Sequence, residues 1–193
     1  MHLAGGGRGR GPRRPTTAPG RGLRPGPAAR LTRVEDALAL HELVARYALA
    51  VDDRDWGTLR GLFTADAVFA GIAERVEGRD AVVDYLARRL AASGPTAHSP
   101  HAHVLDRGAP GEATGTVSMH AEQAIDGTAM VLAFRYSDAY RREEGRWRFR
   151  SRRLRFLYAV PAADYPTAVT DQLALRFPGA APRPAQLGPW AGA

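Results

Sequence analysis

Apolar positions recur along the chain with two periods, and the change from one to the other organises it. Leu40, Leu43, Val44, Tyr47 and Val51 fall at i, i+3, i+4, i+7 and i+11, one face of a helix. Just upstream, Thr32-Arg33-Val34-Glu35 fits a capping box, in which the Thr hydroxyl and the Glu carboxylate each satisfy a free backbone N–H of the first turn. A helix is therefore predicted from about 32 to 51, stopped by Asp52-Asp53-Arg54-Asp55. Asp55 can cap a second, short helix through Phe63 that carries Trp56, Leu59 and Leu62. A short strand over Ala67–Ile72 follows. Gly78-Arg79-Asp80 opens a third helix with Val82, Val83, Leu86 and Leu90 on its apolar face, and Ser93-Gly94-Pro95 ends it.

Beyond that point the period becomes two. His101–Asp106 and Ala113–Ile125 read as strands, and Asp126-Gly127 is a hairpin signal. In Ala129–Arg142, Met130, Leu132, Phe134, Tyr136 and Tyr140 alternate with Ala133, Arg135, Ser137 and Arg141. Glu144-Gly145 makes the next turn, and Arg146–Tyr158 is the last long strand. Helices first and an antiparallel meander last define an α+β fold, a curved sheet wrapped around the long first helix. Such a cone has one mouth and offers a pocket for a small ligand.

Composition divides the 193 residues into three stretches. Residues 1–31 are Gly/Arg/Pro-rich with almost nothing to bury and are expected to be disordered. Residues 32–160 form the domain. Residues 161–193 are a Pro-rich extension, in which Thr170–Phe177 has room for one more helical turn. The net charge is +7, yet residues 1–33 hold eight Arg and no acid, so the remainder carries −1 and the basicity belongs to the tail. Every basic residue is Arg, as codon bias in a GC-rich genome would produce. The tail lacks the interleaved aromatics that stack on bases, which disfavours nucleic acid as a partner. With no Cys, disulfides, thiolate metal sites and thiol catalysis are excluded. No run approaches the ~18–20 apolar residues of a membrane helix, and no secretory h-region opens the chain, so a cytoplasmic location is expected.

The ordered segments Tyr47-Ala48-Leu49-Ala50-Val51-Asp52-Asp53-Arg54-Asp55-Trp56, Leu62-Phe63-Thr64-Ala65-Asp66-Ala67-Val68-Phe69, Gly78-Arg79-Asp80-Ala81-Val82, His101-Ala102-His103-Val104 and Glu144-Gly145-Arg146-Trp147-Arg148-Phe149-Arg150-Ser151-Arg152 resemble the SnoaL-like branch of the nuclear-transport-factor-2-like (NTF2-like) superfamily. The resemblance spans about residues 33–158 and implies the cone fold. Tyr-x4-Asp followed by a His about fifty residues on is similar to the dehydratase group that includes scytalone dehydratase and bile-acid 7α-dehydratase. Carried onto this chain, it implies a catalytic set of Tyr47, Asp52 and either His103 or His101. It also implies a substrate-binding Arg in the last strand, with Arg152 preferred over Arg150 and Arg153, and a second pocket His at His120. Trp56 and Tyr136 complete the expected binding wall.

The chemistry of these groups is consistent with dehydration β to a carbonyl. An imidazole held by a carboxylate takes the α-proton, and a phenol donates to the developing enolate oxygen. The expected function is a cofactor-independent lyase or isomerase acting on a small hydrophobic carbonyl metabolite. Its alternatives are an aldol-type polyketide cyclase and a non-catalytic ligand-binding or dimerisation domain. No cofactor or metal is expected, because Pro100 interrupts the His98–His103 cluster and no carboxylate is near it in sequence. A homo-oligomer, dimer or trimer, is expected. Five helical residues rotate by about 500°, leaving Tyr47 and Asp52 roughly 140° apart, so they converge only if the helix ends near Val51.

Overall fold

A computed structural model describes residues 26–188. Its elements are α1 (Pro27–Asp52), α2 (Trp56–Gly61), β1 (Phe63–Ala70), β2 (Arg75–Glu77), α3 (Arg79–Leu90), β3 (Ala97–Arg107), β4 (Glu112–Ile125), β5 (Thr128–Glu143) and β6 (Arg146–Pro161), followed by a 3₁₀ turn at Ala162–Thr167. The six strands form one curved, unclosed sheet in the order β2-β1-β6-β5-β4-β3, antiparallel throughout except for the β1–β6 pair. This is an α+β fold in which α1 lies in the concave side of the sheet.

Every residue of the predicted α1 stripe is buried. The helix nevertheless starts at Pro27, five residues before the expected capping box, with Gly26 as its N-cap. Proline at the first helical position already has the required φ and loses no hydrogen bond, and Ala28, Ala29 and Leu31 favour helix, so Thr32 becomes an interior residue. Of the segment expected to be disordered, residues 1–25 lie outside the described residues and 27–31 are helical. Asp55 does cap α2, accepting from the Thr58 N–H at 2.9 Å. Phe63 begins β1 rather than ending α2.

Both tight hairpins match their sequence signals. Asp126 and Gly127 (φ 47° and 75°) join β4 to β5, and Glu144 and Gly145 (φ 51° and 77°) join β5 to β6. Two consecutive positive φ values give the turn whose twist suits a two-residue hairpin. β3 begins four residues earlier than expected and runs through Pro100. An edge strand tolerates a proline because one side of its backbone needs no ladder partner, and the register slips between Pro100 and His103.

The chain after 160 folds back along β6. Thr170–Phe177 is not helical: the Ala159 N–H donates to the Ala174 carbonyl and the Arg176 N–H to the Ala159 carbonyl, both at 2.8 Å, which lays Leu175 beside β6. Ala168, Ala174 and Ala185 bury Ala133, Tyr158 and Val160 on the outer face of the sheet. Apolar residues spaced among prolines suit an extended strap rather than a helix. None of the described helices is long and apolar enough to cross a membrane.

Candidate active site

A cavity of about 100 Å³ opens between the end of α1, α3 and the concave face of the sheet. Its walls are apolar, with aliphatic side chains such as Val51, Leu86 and Leu132 beside the rings of Tyr47, Phe69, Tyr85, Phe134, Tyr136, Phe156 and Phe177, the last supplied by the C-terminal strap. His98, Gln123 and Arg89 bring polar atoms to it. The strand alternation puts His98, Phe134 and Tyr136 on this face. His98 faces Ala121 of β4, and Ala121 faces Leu132 of β5, both buried residues.

Behind His98 stands Asp52, the last residue of α1. Its Oδ1 lies 2.6 Å from His98 Nδ1 and accepts the Thr96 hydroxyl at 2.8 Å, while Oδ2 accepts the His98 backbone N–H at 2.8 Å. Burial would raise the Asp52 pKa, but the hydrogen bonds from the His98 ring and backbone and from Thr96 outweigh it and hold the carboxyl below its ordinary value. The anionic carboxylate accepts a proton on Nδ1, so the neutral imidazole carries its lone pair on Nε2. The helix runs one residue further than convergence of Tyr47 and Asp52 required, so the two side chains stay apart and meet only through the cavity's imidazole. Asp53 is the C-cap, Tyr47 reaches the cavity wall and Asp52 reaches the imidazole that shares it.

The phenols of Tyr47 and Tyr136 meet at 3.5 Å. Beneath them lies the Arg152 guanidinium, 4.2 Å and 3.9 Å from the two ring centroids and 4.1 Å from that of Phe149. Arg152 makes two 2.9 Å hydrogen bonds to Asp138, and both side chains are wholly inaccessible. Burial opposes the charge on Arg152, yet Asp138 keeps its pKa above the ordinary value. Burial also raises the pKa values of Tyr47 and Tyr136, with Arg152 working against it, so both phenols stay protonated and able to donate.

The structure distributes the expected residues unevenly. Tyr47 and Tyr136 line the cavity and Asp52 supports it, but the imidazole they meet is that of His98, not of His101 or His103. His41 contacts His103 edge-on at 4.6 Å and lies eleven residues before Asp52 on α1. That is about 16 Å along the axis, so one histidine cannot reach both. His103 instead bonds the Tyr140 hydroxyl at 3.0 Å, and burial first, then His41 and Arg152, lower its pKa to about 4. Gly115 makes this approach possible, since a Cβ there would stand 3.0 Å from His103 Nε2 and 3.1 Å from the Tyr140 ring. His101 and His120 pair at 2.6 Å on the outer face, where His120 also meets the Tyr158 hydroxyl at 3.0 Å; strand parity turns both away from the cavity. Arg152 is engaged by Asp138 and does not line the cavity, and Trp56 packs at the start of α2 against the core.

His98 was hidden by Pro100, which suggested a loop. Simple alternation gave no signal for it, since His98 lies three and five residues before His101 and His103 and would face away from both; only the register slip between Pro100 and His103 breaks that pattern. Tyr85, Gln123 and Phe177 follow from the approach of α3, β4 and the strap, which no local pattern encodes.

A family profile described as a SnoaL-like domain matches residues 32–153. The chain belongs to the SnoaL-like family. Solved structures with the same fold include LinA (TM-score 0.66, 21% identity, covering 70% of this chain and 95% of that one). A proposed scytalone dehydratase from Novosphingobium aromaticivorans aligns with TM-score 0.64 and 20% identity over 79% of this chain and 99% of its own. The hexachlorocyclohexane dehydrochlorinase LinA-type3 from Novosphingobium barchaimii aligns with TM-score 0.64 and 20% identity over 69% and 94%. By sequence the chain matches no curated protein. At these identities the structures establish the NTF2-like fold of this SnoaL-like protein.

Proposed function

We propose that this SnoaL-like protein is a cofactor-independent lyase or isomerase that removes the proton α to a carbonyl in a small, flat, mostly apolar substrate. The observation that carries the reading is the Asp52–His98 pair presenting an imidazole to an apolar cavity whose lining includes the facing phenols of Tyr47 and Tyr136 and, from α3, that of Tyr85. Nε2 of His98 takes the α-proton, and Asp52 stabilises the imidazolium that forms. Tyr47 or Tyr136 donates a hydrogen bond to the enolate oxygen, where the transition state gathers charge. If a hydroxyl stands on the β-carbon, the C–O electron pair leaves with it, and the imidazolium returns its proton to complete water. Without such a leaving group the same enolate is reprotonated elsewhere or attacks a second carbonyl, giving isomerisation or aldol closure. The aromatic rings in the walls favour a planar ring over a flexible chain.

Solvent exchange at the α-carbon reports the first step for all three outcomes. Incubation of β-hydroxy and cyclic ketones in D₂O, followed by proton NMR, should show enzyme-dependent loss of the α-proton signal. His98→Ala should slow it by about 10²–10⁴-fold. Exchange that survives both His98→Ala and Tyr47→Phe rules out this site.

A further inference from the structure

The Asp52–His98 pair is held by more than its own contacts. Arg54, two residues past the end of α1, has φ +59°, in the left-handed region that side chains other than Asn, Asp and His seldom occupy. From that backbone its guanidinium turns back under the helix end. Nη1 donates to the Val51 carbonyl at 2.7 Å, the Asp52 carbonyl at 3.3 Å and the Thr96 hydroxyl at 2.9 Å, while Nη2 donates to the Gly94 carbonyl at 3.0 Å. These acceptors are three carbonyls and one hydroxyl, none of them charged. One cation thus ties the end of α1 to the segment that leads into β3.

Donor chemistry gives this network a direction. Guanidinium groups only donate, so the Thr96 oxygen accepts from Arg54 and must give its single proton to Asp52 Oδ1, 2.8 Å away. Asp52 Oδ1 then holds the Thr96 hydroxyl and the His98 ring, and Oδ2 holds the His98 backbone N–H. The carboxylate is thus held by three donors, and the Thr96 hydroxyl shares Oδ1 with the imidazole.

We propose that Arg54 is a positioning residue which, through the Thr96 hydroxyl, keeps the Asp52 carboxylate turned toward His98 and so holds the imidazole in the form with Nδ1 protonated and Nε2 free to act. Arg54 does not line the cavity and touches no reacting atom. The functional meaning of the inference rests on His98 being the base, but its structural content does not.

The test reads the ring itself. Full-length protein labelled with ¹⁵N-histidine is followed by two-bond ¹H–¹⁵N spectra across pH, with His98 assigned by His98→Asn. The wild type should show a single neutral tautomer with a protonated Nδ1. Thr96→Val, which leaves the bonds from Arg54 to the carbonyls in place, should lose that single-tautomer pattern, and Thr96→Ser should restore it. Arg54→Met should behave like Thr96→Val; if it fails to fold, the Thr96 pair still decides. A helix-capping role alone would lower the melting temperature of Arg54→Met and leave the Thr96→Val spectrum like wild type. That unchanged spectrum overturns the proposal even if His98 proves to be the base. Conversely, unimpaired α-proton exchange in His98→Ala defeats the base assignment while leaving the tautomer result standing.

Discussion

Replacing Asp138 with Asn changes one heavy atom and removes the only charge paired with Arg152 among the described residues. The two residues face each other across β5 and β6 and share two 2.9 Å hydrogen bonds, and neither side chain has any solvent access. The guanidinium is packed against Tyr47, Tyr136 and Phe149 and cannot reach water without opening the core. Breaking one side of a buried pair of this kind typically costs about 3–5 kcal/mol, because the remaining charge is stranded. At about 2–4 °C per kcal/mol for a domain of this size, Asp138→Asn should lower the melting temperature by roughly 6–20 °C. Arg152→Met, which strands the carboxylate instead, should cost a similar amount. The double variant strands neither, so its loss should be well below the sum of the two singles. Urea unfolding at pH 7 followed by circular dichroism, with calorimetry for the melting temperature, measures all three. A single variant within about 1 kcal/mol of wild type, or a strictly additive double variant, refutes the argument that the charges depend on each other.

Acid should weaken the fold through His103. Its folded pKa of about 4 lies below the unfolded value of 6.5, so the unfolded chain binds the proton more readily. Its contribution is therefore intact above about pH 6.5 and is lost as pH falls toward 4. Urea midpoints at pH 7, 5.5 and 4.5 should drop more steeply for wild type than for His103→Gln, and equal slopes would argue against it. Gly115→Ala places a Cβ 2.9 Å from the Val104 carbonyl and crowds the His103–Tyr140 bond, so a loss of about 1–3 kcal/mol is expected in chemical denaturation. Leu175→Ala removes the buried side chain that seats the C-terminal strap and should cost about 2–5 kcal/mol. Limited proteolysis should then cleave after residue 160 faster than in wild type; an unchanged rate would mean that the strap is held by its backbone bonds alone.

Local chemistry made much of this architecture readable. The α1 stripe, the Asp55 cap and the two Gly hairpins are each specified within about a dozen residues, and all stand where their patterns place them. The start of α1 and the course of β3 were misread because a strong local signal, a capping box in one case and a proline in the other, competed with a tertiary setting that overrode it. The candidate site was half legible. Tyr47, Asp52 and Tyr136 could be named because the family pattern and strand alternation point to them. The choice among His98, His101 and His103 turned on one register slip in an edge strand. Arg152 was expected as a substrate-binding Arg of the last strand, and its engagement by Asp138 depends on cross-strand pairing that spacing alone does not reveal.

The one parallel pairing in the sheet sets an order of assembly. Phe63 lies opposite Phe149 and Phe69 opposite Arg152, so β1 acquires its second neighbour only when the last strand has been made. As the chain leaves the ribosome, the helical half emerges with the apolar stripe of α1 still exposed, while β3, β4 and β5 can already zip into hairpins. Joining the halves closes a loop of more than eighty residues, an entropic step that local structure does not offset. A nascent chain halted before β6 would hold a sheet split at its middle, with β1 and β5 each presenting a bare edge to other chains.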